Sequence, residues 1–160
     1  MRNKEKGFSL IELLIVVAII LIIAAIAIPN LLRSKIAANE ASAVGSLRTI
    51  NTTSTQYNTT YGGYPQTLIS LGGPANGTAT ASSAELIDAV LANGTKSGYS
   101  FAYAPGATDG NGNVLQYTLT AQPTSMGVTG QRTFFTDQSG VIRADATGTG
   151  VATVNSTPLS

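Results

Sequence analysis

"KGFSLIELLIVVAIILIIAAIAIPN", residues 6–30, is the stretch on which the reading of this chain turns. From Phe8 to Ile28 only Ser9 and Glu12 are polar. At 1.5 Å rise per residue that run makes a helix of about 31 Å, the thickness of a bilayer's hydrocarbon core. Glu12 is the anomaly, because an acid at membrane depth costs on the order of 2.5–3.5 kcal/mol. The sequence holds no basic residue between Lys6 and Arg33 to pair with it. Its partner must therefore be created by processing or supplied by another chain.

Arg2, Lys4 and Lys6 precede the apolar run and only Glu5 opposes them, so the positive-inside tendency orients the first residues to the cytoplasm and the rest outward. From Phe8 onward six Lys/Arg face seven Asp/Glu, a nearly neutral remainder. The 160 residues have room for one compact domain plus an anchor. With 11% charged residues and a net charge of +1, nucleic-acid binding by bulk electrostatics is not expected. The absence of Cys removes disulfides and thiol chemistry, and the absence of His removes the commonest general base and metal ligand. No carboxylate pair, serine–base pair or phosphate loop is evident, so neither a cofactor nor an enzymatic activity is expected.

Three readings fit the N-terminus. A plain signal anchor needs only the hydropathy. A secretory signal peptide would use the small-x-small form Ala25-Ile26-Ala27 for cleavage, although the apolar core is long for that and Glu12 is foreign to it. The third takes the whole pattern together: a short basic leader ending in Gly7, then Phe8, then Glu12, then an unbroken apolar helix with Pro29 at its far end. This pattern resembles the N-terminus of type IV pilins and pseudopilins, most of all bacterial type IVa major pilins. The resemblance is strong over about residues 6–64 and looser beyond, where "YPQTL", "YTLTAQP" and "RTFFTDQSGVIR" look like pilin-head segments.

That resemblance carries definite implications. A prepilin peptidase would remove residues 1–7 after Gly7 and methylate the new amine of Phe8. The amine would then supply the missing cation, and Glu12 would pair with Phe8 of a neighbouring subunit. Partners would be further copies of the chain in a helical filament, the inner membrane before assembly, a platform protein and a cytoplasmic ATPase; the destination would be a cell-surface pilus serving adhesion or motility. Two departures stand out: the chain lacks the cysteine pair of many pilins, and the Asp-Pro-Trp-Gly type segment of major secretion pseudopilins. A type II secretion pseudopilin is the alternative, and a membrane-anchored binding module that never polymerises is an alternative of another class.

The expected fold is α+β: a long N-terminal helix packed on a head with an antiparallel sheet of about four strands. Residues 8–28 form the apolar half of the helix and 29–61 the amphipathic half, with a kink or local melting at Pro29. In the second half Leu32, Ile36, Val44, Leu47 and Ile50, with Ala37, Ala41 and Ala43, predict a buried stripe, and Arg33, Lys35, Glu40 and Arg48 a polar face. The helix should end near Tyr61, before Gly62-Gly63. Residues 62–160 form the head. It opens on a loop holding one short helix, 83–92, with Ser82 and Glu85 at capping-box spacing and Asp88 in the first turn. A meander over 99–144 follows, with strands at Tyr99–Ala104, Val114–Ala121, Thr133–Thr136 and Val141–Ala144, and then a C-terminal tail. Phe101, Tyr103, Leu119, Phe134 and Ile142 should face the helix.

Other candidate sites have plainer explanations. Asp109, Asn111 and Asn113 form D-x-N-x-N, the start of a calcium loop, yet Val114 and Thr120 stand where Gly and Glu are needed; a hairpin turn accounts for them, leaving Asp109 a weak metal candidate. Asn51, Asn58, Asn76, Asn93 and Asn155 begin N-x-Ser/Thr triplets, which a Thr-rich chain produces by chance. Tyr57, Tyr61 and Tyr64 fit packing at the helix end better than electron transfer, and Arg132 and Arg143 fit a solvated sheet edge.

Overall fold

The computed structural model describes residues 7–73, 77–145 and 150–159, so Asn76 and the leader up to Lys6 lie outside the described residues. The chain divides into two compact units, Met1–Lys35 and Ile36–Ser160. One helix, α1 (Leu10–Tyr61), runs through both. Helical structure continues through Pro29 without a break. The single chain therefore has no melted turn there.

In the first unit α1 has no inward side. Ile11, Leu13, Leu14, Ile15 and Val16, which point in different directions around the axis, are all exposed. A helix apolar all round is built for lipid or a helix bundle, not for water. Within lipid, helical structure is also what satisfies every backbone N–H and C=O.

In the second unit α1 becomes one-sided. Ile36, Glu40, Ala43, Leu47, Ile50, Ser54 and Tyr57 recur at three- and four-residue spacing and are buried. Ala37 and Ala41, expected in that stripe, and Leu32 are exposed instead. The stripe is narrower than the alanines suggested, because alanine fits either face. The Thr-rich stretch stays helical, with its hydroxyls turned back onto the helix. Thr49, Thr52, Thr55, Thr59 and Thr60 donate their hydroxyls to carbonyls four residues back. Tyr61 is the last residue, as expected, and Gly62 stops the helix at φ +81° with its N–H bonded to Asn58 O at 2.9 Å.

Among the described residues, six antiparallel strands form one sheet in chain order: β1 (Thr95–Lys96), β2 (Tyr99–Pro105), β3 (Tyr117–Pro123), β4 (Thr133–Asp137), β5 (Arg143–Asp145) and β6 (Thr157–Pro158). The expected four-strand meander is thus corrected to six. The added edge strands have two residues each, too short for any alternating pattern. β3 begins at Tyr117, not Val114; Val114 bridges Tyr64 and Thr108 instead. The core-facing prediction holds: Phe101, Leu119, Phe134 and Ile142 are buried in one cluster with Ala43, Leu47 and Ile50, and Tyr103 packs against it. Each large aliphatic or aromatic side chain so buried contributes about 1.5–3 kcal/mol.

The short helix is also corrected. Helix α2 covers only Ala89–Ala92, capped by Asp88, whose side chain accepts from Leu91 N. The Ser82–Glu85 capping box does not form. Residues 84–87 are spent on the 3₁₀ turn Leu68–Leu71 and its end: Ala84 N bonds Ser70 O, Glu85 N bonds Gly72 O, and the N–H groups of Leu86 and Ile87 bond Leu71 O. Glu85 sits at φ +55°, outside helical geometry.

Candidate assembly site

Phe8 is 80% exposed, and Ser9 N donates to Glu12 Oε2 at 2.9 Å. That bond satisfies one of the N–H groups that a helix start leaves without an intrahelical partner. A carboxylate offers about four acceptor positions, so Glu12 keeps capacity for another donor. Glu12 also lies in the first turn of α1, where the helix dipole favours negative charge. The site thus joins one solvent-facing acid to a helix that presents apolar side chains on all sides.

The head contains an acid that sequence reasoning misplaced. Glu40, assigned to the polar face, is only 6% exposed. Its Oε1 accepts from Gln131 N at 2.9 Å and Arg132 N at 3.1 Å, and its Oε2 accepts from Arg132 Nε at 2.7 Å. Burial pushes the carboxyl up, but these N–H donors and the guanidinium outweigh it and hold the pKa below the ordinary value. Arg132 is therefore not a free sheet-edge cation: it binds Glu40 and lies 5.4 Å over the Phe134 ring. The only prior signal was that Glu40 falls four residues after Ile36 and three before Ala43, on the buried stripe.

The remaining candidates resolve into structure. Asp109 Oδ1 accepts from Asn111 N and Asn113 N, and Oδ2 accepts from Asn113 Nδ2, so the D-x-N-x-N residues fold on themselves as a turn. Asn51 donates to Thr136 Oγ1 and accepts from Tyr117 OH, which ties its amide to the core. Arg143 Nη1 donates to Ser156 O at 3.2 Å. Tyr57 and Tyr61 have ring centroids 4.6 Å apart, Tyr64 and Tyr117 4.9 Å, and Tyr103 and Tyr117 stack at 5.3 Å. Tyr57 OH also donates to Ala81 O. These rings join α1 to the sheet and to the loop that follows the helix.

Comparison with known proteins bears on the N-terminal part. Residues 2–28 match the prokaryotic N-terminal methylation motif. A 40-residue stretch is 65% identical to the type IV wide pilus major component PilA4 of Thermus thermophilus, covering 25% of this chain and 30% of that protein. The similarity therefore spans under a third of that relative's length. No solved structure matches the chain. With its methylation motif, its pilin-like apolar start and a long helix packed on an antiparallel sheet, this chain is similar to the prokaryotic type IV pilins over its N-terminal part.

Proposed function

We propose that the chain is a prepilin whose mature form is the structural subunit of a type IV pilus. A prepilin peptidase removes residues 1–7 after Gly7 and methylates the Phe8 amine. The subunit waits in the inner membrane with α1 in lipid, and a platform protein and a cytoplasmic ATPase transfer it to the surface filament. Adhesion and motility are the uses such a fibre serves.

The observation that carries this reading is the first unit itself: an apolar helix exposed on every side, with one acid in its first turn. Lipid satisfies the side chains but not the acid. A bundle of copies satisfies both. Cleavage after Gly7 puts an ammonium at Phe8, and Glu12 of the adjoining copy accepts it. Removing one partner of such a buried pair costs roughly 3–5 kcal/mol, so a misplaced subunit is rejected more strongly than a placed one is held. Pro29, with no N–H to donate, gives the bundled helix a point at which to bend or melt.

The test is to shear surface fibres from cells and measure the intact mass of their main component. The expected result is a chain beginning at N-methylated Phe8. A Glu12→Ala strain should insert the subunit in the membrane and build few or no fibres, whereas abundant normal fibres from that strain would sink the proposal.

A further inference from the structure

We propose that the Thr124–Arg132 loop of one copy docks, through Met126 and Val128, into a cleft on the outer face of the next copy's sheet. This inference rests on the polymer reading and names a head contact that the polymer would use.

The loop is held firmly. Asn39 Nδ2 donates to Thr129 O at 2.9 Å, Glu40 takes the three donors from Gln131 and Arg132, and Thr129 Oγ1 bonds both N and O of Ser125. Gly127 N closes the tip onto Gly130 O at 2.8 Å. Yet this fastened loop turns Met126, 47% exposed, and Val128, 54% exposed, to solvent. Residues 124–131 carry no charge. A preorganised tip loses little entropy on docking, and Met fits irregular apolar gaps.

The cleft has a volume of about 560 Å³. Thr118 and Thr120 alternate along β3 with the core residues Tyr117 and Leu119, so the cleft lies on the face turned away from α1. Phe135 lies at its base, Pro105 on one side, and Val151 and Val154 on the other. The C-terminal wall is pinned to β4 by Thr133, whose hydroxyl donates to Gly150 O at 3.0 Å and accepts from Ala152 N at 2.9 Å. Among the described residues no Lys or Arg lines the cleft, and the one charged lining residue is Asp137. Phosphates and acidic lipids are therefore poor occupants. A neutral, largely apolar loop suits it, and the partly exposed Arg132 at that loop's end suits Asp137.

Position along α1 separates this loop from the cleft. The loop is fastened at Asn39 and Glu40, while the sheet beneath the cleft is fastened at Asn51 through Tyr117 and Thr136. Those levels are roughly 17 Å apart on the helix axis at 1.5 Å per residue. A filament of parallel subunits needs two different patches offset along its axis, which is the heterologous arrangement that propagates without closing.

The cysteine-free chain makes the test direct. Cells expressing the full chain with both Val128→Cys and Thr120→Cys would be sheared, and their fibres oxidised and run without reductant. A ladder of cross-linked dimers and longer products is expected from the double variant and only monomer from each single variant. Monomer alone from double-variant fibres, or a dimer from Thr120→Cys alone, overturns the inference; wild-type fibres with methylated Phe8 would leave the pilin reading standing. Met126→Glu gives an independent measure should the cysteine variants fail to assemble. It should cut fibre yield at least tenfold with the membrane-inserted subunit at its usual amount, and unchanged yield overturns the docking. Wild-type cells that make no fibre of this chain would end both proposals.

Discussion

A carboxylate buried against a sheet is stable only while its donors stay in place, and Glu40 has two backbone N–H groups and one guanidinium N–H. Because its pKa in the folded chain lies below the ordinary 4.5, the stability it adds is present above that pH and is lost as pH falls through the lower, folded value. Glu40→Gln should lower stability at pH 7 by on the order of 1–3 kcal/mol. The gap to wild type should shrink in acid, which thermal melts followed by circular dichroism would register; a gap independent of pH would contradict the charge-based account. Gly130 supplies a steric counterpart. A Cβ there would fall 2.1 Å from Tyr99 OH, which itself donates to Arg132 O. Gly130→Ala should therefore cost about 1–3 kcal/mol through overpacking, read as a lowered melting temperature. Tyr117 responds at the other end of the pH scale. Burial, then the neighbouring Tyr64, pushes its pKa up to about 12, so its contribution is whole below pH 10 and is lost as pH rises towards 12.

At the scale of elements, α1 is one helix with two chemistries. Before Lys35 its exposed apolar side chains specify a medium, and after Ile36 its buried stripe specifies a partner sheet. Pro29 belongs to the first part, where it interrupts the hydrogen-bond ladder; a helix-interior proline costs about 3 kcal/mol relative to alanine. Pro29→Ala should make fibres harder to extend, which pulling single fibres in an optical trap would measure; unchanged extensibility would remove Pro29 from the mechanics. The C-terminal segment depends on Thr133 in the same local way. Thr133→Val keeps the shape but strips both hydrogen bonds to Gly150 and Ala152. Faster amide exchange at Ala152 is the expected result.

At the scale of the whole molecule, the two units make opposite demands on solvent. The hydrophobic core cluster begins at Ala43 and takes no residue from the first unit. A chain beginning at Asn30 should therefore stay soluble without detergent and keep its near-ultraviolet tyrosine signal, while the intact chain needs detergent or lipid. Loss of that signal in the shortened chain would show that the apolar half is needed to fold the head.

Sequence alone determined the parts whose cause is local or compositional. The unbroken apolar run, the lone Glu12, the stop at Gly62 and the alternation of Phe101, Leu119 and Phe134 are each legible because a single element's period or a medium's polarity dictates them. The tertiary structure decided what depends on two distant segments meeting. Glu40 reads as a surface acid until Gln131 and Arg132 arrive from β4's approach, and Ser82–Glu85 reads as a helix cap until Ser70, Leu71 and Gly72 claim its N–H groups. Two-residue edge strands exist only because a neighbouring strand offers hydrogen-bonding groups. Local propensity differences are worth tenths of a kcal/mol, whereas a buried polar group left without a partner costs several times more. Where the two conflict, the distant partner prevails.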